Sequence, residues 1–122
     1  MSNINEIGKT YARPWGSYKT IELGEGFQVK TITVLPEGRL SLQSHFKRSE
    51  HWVVVNGEVQ VTVDERVKVF VRNEAIYIPL NAKHRLENFS TKPATIVEVQ
   101  VGDYLGEDDI VRYDDIYGRD QA

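Results

Sequence analysis

Two of the chain's three histidines, His45 and His51, fall within seven positions in the stretch "LSLQSHFKRSEHWVVVNGEV", residues 40–59. On an extended strand side chains alternate faces, so Gln43 and His45 point the same way. Glu50 begins the next strand and can return alongside them, and His84 arrives from a later strand. A carboxamide oxygen, two imidazole nitrogens and a carboxylate oxygen suit one divalent metal ion. Zinc is the first expectation, with iron, manganese, cobalt and nickel as alternatives. The competing reading is a charged bend between two strands whose polar side chains only meet solvent. Lys47 joins the inward set if the strand runs on, while Ser44 and Phe46 point outward. His51 faces away from Glu50 and reads as a packing or interface residue. Trp52 shares Glu50's face and reads either as a pocket floor or as core.

The elements that must position these side chains are strands. From Phe27 onward short segments rich in valine and isoleucine alternate with turn residues every eight to twelve positions, the pattern of an all-β sandwich or barrel. Strands are expected at 27–35, 39–45, 50–57, 58–64, 66–72, 74–79, 83–89 and 94–102, with little room for helix. Turns fall at Pro36-Glu37-Gly38, Asn56-Gly57, Asp64-Glu65, Asn81-Ala82 and 90–93. Asn56-Gly57 carries the type I′ hairpin signature. A single domain over 1–122 is expected, with residues 1–20 as a lead that Trp15 and Tyr18 tie to something, 27–102 as the barrel, and 103–122 as an acidic arm.

The totals narrow the chemistry. A chain of 122 residues with 40% hydrophobic and 27% charged residues is one ordinary globular domain. A net charge of −3 offers no attraction to nucleic acid or to an acidic membrane surface. With no cysteine, any metal must be held by nitrogen and oxygen. No apolar leader and no run of about 18 apolar residues is present, so the cytoplasm is the expected compartment.

At this point a family resemblance emerges. Gln43-x-His45-x4-Glu50-x6-Gly57, followed by Asn73-x5-Pro79-x-Asn81-x2-His84-x3-Asn88, resembles the two cupin motifs. In that family such residues bind one metal inside a jelly-roll barrel, or double-stranded β-helix. Asn73 and Asn81 stand where glycines are common, and asparagine tolerates the positive φ such turns require. The blocks "RPWGSY", "YIPLNAKHRLEN" and "VEVQVGDYLGEDDIVRYDDIYGR" narrow the resemblance to the cupin domain of type II phosphomannose isomerases. That domain usually ends bifunctional mannose-1-phosphate guanylyltransferases. A glutamine-x-histidine pair is the usual form there, whereas a histidine run commonly stands where this chain has His45-Phe46-Lys47. No glycine-rich nucleotide signature followed by a lysine occurs in these 122 residues, so nucleotidyl transfer is not expected of them.

The resemblance implies a metal held by Gln43, His45, Glu50 and His84, and interconversion of mannose 6-phosphate and fructose 6-phosphate through an enediolate. Such a reaction needs a positioned acid/base group and cations for the phosphate. Glu50 is the candidate proton carrier. Arg112 is the first phosphate-holding candidate, followed by Lys47 and Arg13, with Arg48, Arg85 and Arg119 as further possibilities. The carboxylates around Arg112 otherwise read as a solvated, arginine-paired surface. Competing functions are isomerisation of another phosphosugar, such as a heptose phosphate, and a non-catalytic sugar-binding role accessory to a guanylyltransferase. Sheet edges in a small jelly roll also predict a homodimer.

Overall fold

The structure is a computed structural model that describes residues 4–117. Its strands are β1 (Thr10–Arg13), β2 (Gly16–Gly24), β3 (Phe27–Val34), β4 (Leu42–Ser44), β5 (Arg48–Asn56), β6 (Glu58–Val63), β7 (Arg66–Val71), β8 (Ala75–Ile78), β9 (His84–Glu87), β10 (Ala94–Gly102) and β11 (Val111–Asp114). No helix occurs among the described residues. A six-stranded sheet runs β1-β2-β3-β10-β5-β8 and faces a five-stranded sheet ordered β11-β4-β9-β6-β7. All pairings between these strands are antiparallel. This is the expected all-β jelly roll.

Period-two burial explains the layering. In β3 the even positions Gln28, Lys30, Ile32 and Val34 are buried, and in β10 Ala94, Ile96, Glu98 and Gln100 are buried. Ile32, Val34, Trp52, Val54, Val59, Val61, Ile78, Leu86 and Ile96 fill the space between the sheets. At one end of this interior the inward residues are apolar. At the other they are polar, and the site lies there.

The expected strands from 27 to 102 all form, most with ends trimmed by a few residues, while β5 begins two residues earlier, at Arg48. The sheet also begins earlier, because β1 and β2 add to the edge of β3. Trp15 and Tyr18 are buried, which makes residues 10–24 part of the sandwich rather than a lead to it. The acidic segment likewise contributes β11, paired with β4.

Asn73 and Asn81 take φ of 77° and 67°, as their glycine-like positions require. Asn56-Gly57 does not make a hairpin. β5 pairs with β10 and β8, whereas β6 pairs with β7 and β9, so the chain crosses from one sheet to the other there. Gly57 alone of the two has positive φ, 78°, and a Cβ on it would stand 3.0 Å from Pro93 O and Ala94 Cα. Close passage under the 93–94 backbone, rather than a two-residue turn, therefore calls for the glycine.

Candidate active site

β4 ends at Ser44 and the chain bends through 45–47 before β5 starts at Arg48. The acidic segment holds that bend. Asp109 accepts hydrogen bonds from the backbone N–H groups of Phe46 (2.9 Å) and Lys47 (3.0 Å), and its own carbonyl lies 2.6 Å from His45 Nδ1. Strand parity consequently fails across the bend. Arg48 turns inward and is buried, while Lys47 is exposed with its ammonium over the Tyr104 ring. Ser44, expected to face out, is buried under β11 and hydrogen-bonded to the Tyr113 hydroxyl at 2.9 Å.

Inside the barrel, His45, Glu50 and His84 are buried and offer ligand atoms that all lie within 4.8 Å of one another. Gln43 is the register partner of His84 and lines the same cavity. His84 Nδ1 lies 3.0 Å from the carbonyl of Ala82, much as His45 Nδ1 meets Asp109. A carbonyl only accepts, so both imidazoles carry their proton on Nδ1 and leave Nε2 as the acceptor nitrogen. Metal-ligating histidines are commonly oriented in this way. Arg48 Nη2 donates to His45 Nε2 at 3.2 Å, consistent with that tautomer. The donor set fits a divalent ion.

The charges around these ligands are arranged in pairs. Glu50 Oε2 accepts from Arg48 Nε at 2.9 Å and Oε1 accepts from Trp52 Nε1 at 2.9 Å. Burial alone would raise its pKa, but the Glu98 hydrogen bond, Arg48 and the two histidines outweigh burial and hold the carboxyl well below its usual range. Glu98 moves the opposite way. Burial, the Glu50 charge and the shared hydrogen bond push it well up, so it is the protonated member of the pair. Burial also lowers His45 to about 4, against 6.5 normally, and leaves a neutral imidazole at neutral pH. Lys30 and Arg48 keep the half-buried Glu107 carboxylate below its ordinary range, outweighing the desolvation that would raise it.

A cavity of about 140 Å³ opens over the ligand group. Arg13 and Arg112 line it together with Lys30, Arg48, Glu98 and Glu107. Arg13 packs its guanidinium against the Tyr11 and Tyr18 rings and donates to the Tyr18 hydroxyl at 3.2 Å. Lys47 is not among the lining residues, and Arg85 is spent on the Leu40 carbonyl and on Asp114. Arg119 lies outside the described residues. Ser41 Oγ and Trp15 Nε1 are buried at the cavity wall with no protein partner among the described residues. Of this constellation Lys30, Glu98 and Glu107 escaped the sequence reading. For Lys30 and Glu98 the available signal was a charged residue at a core parity in an otherwise apolar strand.

Residues 2–115 match the family model described as mannose-6-phosphate isomerase C-terminal. The chain belongs to this family. An alginate biosynthesis protein, AlgA, from Pseudomonas syringae pv. tomato is 50% identical over all of this chain and 27% of its own length. A mannose-1-phosphate guanylyltransferase of Escherichia coli is 53% identical over 94% of this chain and 24% of its own. The chain thus spans about a quarter of the length of these curated relatives. Among solved structures, an oxalate decarboxylase from Lactobacillus farciminis superposes with a TM-score of 0.74 at 20% identity, covering 85% of this chain and 33% of that one. A cupin-superfamily sugar phosphate isomerase from Silicibacter pomeroyi gives 0.63 at 21% identity, over 78% of this chain and 68% of that one. The fold is a cupin. Phe46 and Lys47 are exposed on the 45–47 bend, and neither lines the cavity.

Proposed function

We propose that this domain is a metal-dependent sugar-phosphate isomerase that interconverts mannose 6-phosphate and fructose 6-phosphate through an enediolate. The observation that carries the reading is the convergence of His45, Glu50 and His84, with both imidazoles oriented through Nδ1, in a cavity also lined by arginines. Family membership supports the substrate class. Gln43, His45, Glu50 and His84 would hold one divalent ion, zinc by first expectation. When bound, such an ion supplies Lewis-acid polarisation to adjacent substrate oxygens, worth several kcal/mol.

The remaining work falls to the chain's own groups. Arg112 and Arg13 hold the phosphate dianion at the cavity wall, since a guanidinium can bind it through two donors. Ser41 Oγ and Trp15 Nε1 meet sugar hydroxyls there. The proton removed from C2 requires a base beside an acid. Glu50 is ionised and Glu98 protonated in one hydrogen-bonded pair, so acid and base stand next to each other at neutral pH. Burial of the pair excludes the water that would weaken it. Lys47, exposed on the bend, is left without a part in this scheme. The domain would act in the cytoplasm, as a homodimer, on a small phosphosugar and not on nucleic acid.

The test is direct. The chain is loaded in turn with zinc, manganese, cobalt, nickel and ferrous iron, and incubated with mannose 6-phosphate. Fructose 6-phosphate is then measured by a coupled readout. Turnover with at least one ion is expected. A folded, metal-loaded protein inactive with every ion would remove this reading and leave another phosphosugar, or a binding role beside a guanylyltransferase.

A further inference from the structure

Resting on the reading of His45 as a ligand of one divalent ion, we infer that Asp109 is a positioning residue for that ligand. The acidic segment between β10 and β11 is then a working part of the site rather than a solvated arm. The two candidate histidines are held in different ways. His84 begins β9, and its Nδ1 meets the carbonyl of Ala82, two residues away. His45 lies just past the end of β4, where no strand directs its side chain, and its Nδ1 meets the carbonyl of Asp109, 64 residues on. One ring is oriented from its own neighbourhood in the chain, the other from a distant segment.

The bend that carries His45 has little of its own to hold it. The Phe46 and Lys47 side chains are exposed, so neither packs the bend into the barrel. Successive backbone N–H groups can form a concavity that takes an anion, and here the anion is the Asp109 carboxylate. Oδ1 accepts from the Phe46 N–H at 2.9 Å and Oδ2 from the Lys47 N–H at 3.0 Å. Both bonds are charge-assisted, and Asp109 is buried. One residue therefore grips three in succession, two through its carboxylate and His45 through its carbonyl. By fixing the backbone of 46–47 against its own, the carboxylate sets how that carbonyl meets the imidazole. On the other side the Asn81 N–H donates to the His45 carbonyl at 2.9 Å. The neighbours of Asp109 tie the same segment to the cavity: Glu107 pairs with Lys30 at 3.0 Å, and Arg112 is the register partner of Gln43. Asp108 differs, since its carboxylate is exposed, bonds to the Tyr104 hydroxyl and does not line the cavity. Removing the group that orients a metal-ligating histidine commonly costs 10- to 100-fold in affinity.

Zinc affinity, measured on the 122-residue chain by competition with a chelating dye, tests this together with the visible absorption of the cobalt-saturated protein. The cobalt spectrum reports ligand geometry at full occupancy, which a loss of stability alone would not move. Asp109→Ala should weaken zinc about 10- to 100-fold and alter the cobalt bands. Asp109→Asn keeps one acceptor oxygen and should fall between Asp109→Ala and wild type. Asp108→Asn, the same loss of charge one residue away, should match wild type in both measurements. Far-ultraviolet circular dichroism checks that each variant is folded. A folded Asp109→Ala protein that binds zinc as tightly as wild type, or shows the wild-type cobalt spectrum, overturns the inference and leaves the ligand reading standing. A wild-type chain that takes up neither ion removes that reading, and the inference with it. If Asp109→Ala does not fold, Asp109→Asn decides by the same two measurements.

Discussion

Replacing Arg48 with methionine keeps an unbranched apolar stem and removes the charge beside the candidate ligands. In the metal-free chain Arg48 Nε lies 2.9 Å from Glu50 Oε2, and Nη2 lies 3.2 Å from His45 Nε2. At an effective dielectric constant near 20, unit charges at that separation attract by about 6 kcal/mol. The variant no longer incurs the cost of desolvating the guanidinium, which offsets part of the loss. Trp52 and Glu98 also keep their hydrogen bonds to Glu50. The net effect should therefore sit at the low end of what orphaning one member of a buried pair costs, about 3 kcal/mol. A divalent ion bound to Glu50 would supply the missing positive charge. Metal should accordingly stabilise Arg48→Met more than wild type, by a similar amount. Urea unfolding in a chelator and in saturating zinc, followed by circular dichroism, measures both quantities. The reasoning fails if Arg48→Met matches wild type in chelator to within about 0.5 kcal/mol, or if zinc stabilises the two proteins equally.

Arg112→Ala should raise KM for the phosphosugar about 10- to 100-fold, with kcat within a few-fold and metal stoichiometry unchanged, because the phosphate is held equally in ground and transition states. Steady-state kinetics with a metal analysis reads all three. Asn88 is fully buried, donates to the Val34 and Lys92 carbonyls and accepts from the Ser90 N–H and hydroxyl. Asn88→Ala should cost about 2–4 kcal/mol in urea unfolding and leave metal uptake intact in the folded fraction. The His45 imidazole, lowered by burial to about 4 from 6.5, takes its proton later in the folded chain than in the unfolded one. Its contribution to the metal-free fold is thus full above pH 6.5 and is lost as pH falls from 6.5 toward 4, by up to roughly 3 kcal/mol. Urea titrations in chelator at several pH values across that window should show the decline.

What could be read from residues alone was whatever local spacing decides. Gln43 on β4, His45 just past its end, Glu50 on β5 and His84 on β9 converge as the motif spacing implied, although β9 is buried at every position and His45 lies outside a strand. Asn73 and Asn81 revealed turns because few other side chains tolerate positive φ. The failures came where a distant segment overrides a local rule. Parity from His45 to Lys47 broke because Asp109, more than sixty residues on, pins the bend and turns Arg48 inward instead. Asn56-Gly57 has the same local signal in a hairpin as at a corner, and the choice depends on partners in β9 and β10. Residues 10–24 escaped because β2 buries only Tyr18 and Thr20, exposes Ile21 and breaks its register between Thr20 and Glu22, too weak a pattern without its neighbour β3. Lys30 and Glu98 sit at core parities where charge reads as a mistake until the site supplies the reason.

The account rests on a metal-dependent proton transfer at C2 of mannose 6-phosphate inside this barrel, and proton exchange in heavy water followed by nuclear magnetic resonance tests it most directly. With the zinc- or manganese-loaded chain, the C2 proton signal should be lost or moved into fructose 6-phosphate. Folded His84→Ala should take up no metal and leave the substrate unchanged. A metal-loaded, folded wild-type protein that forms no ketose and leaves the C2 proton in place would contradict the account, as would His84→Ala with full metal occupancy.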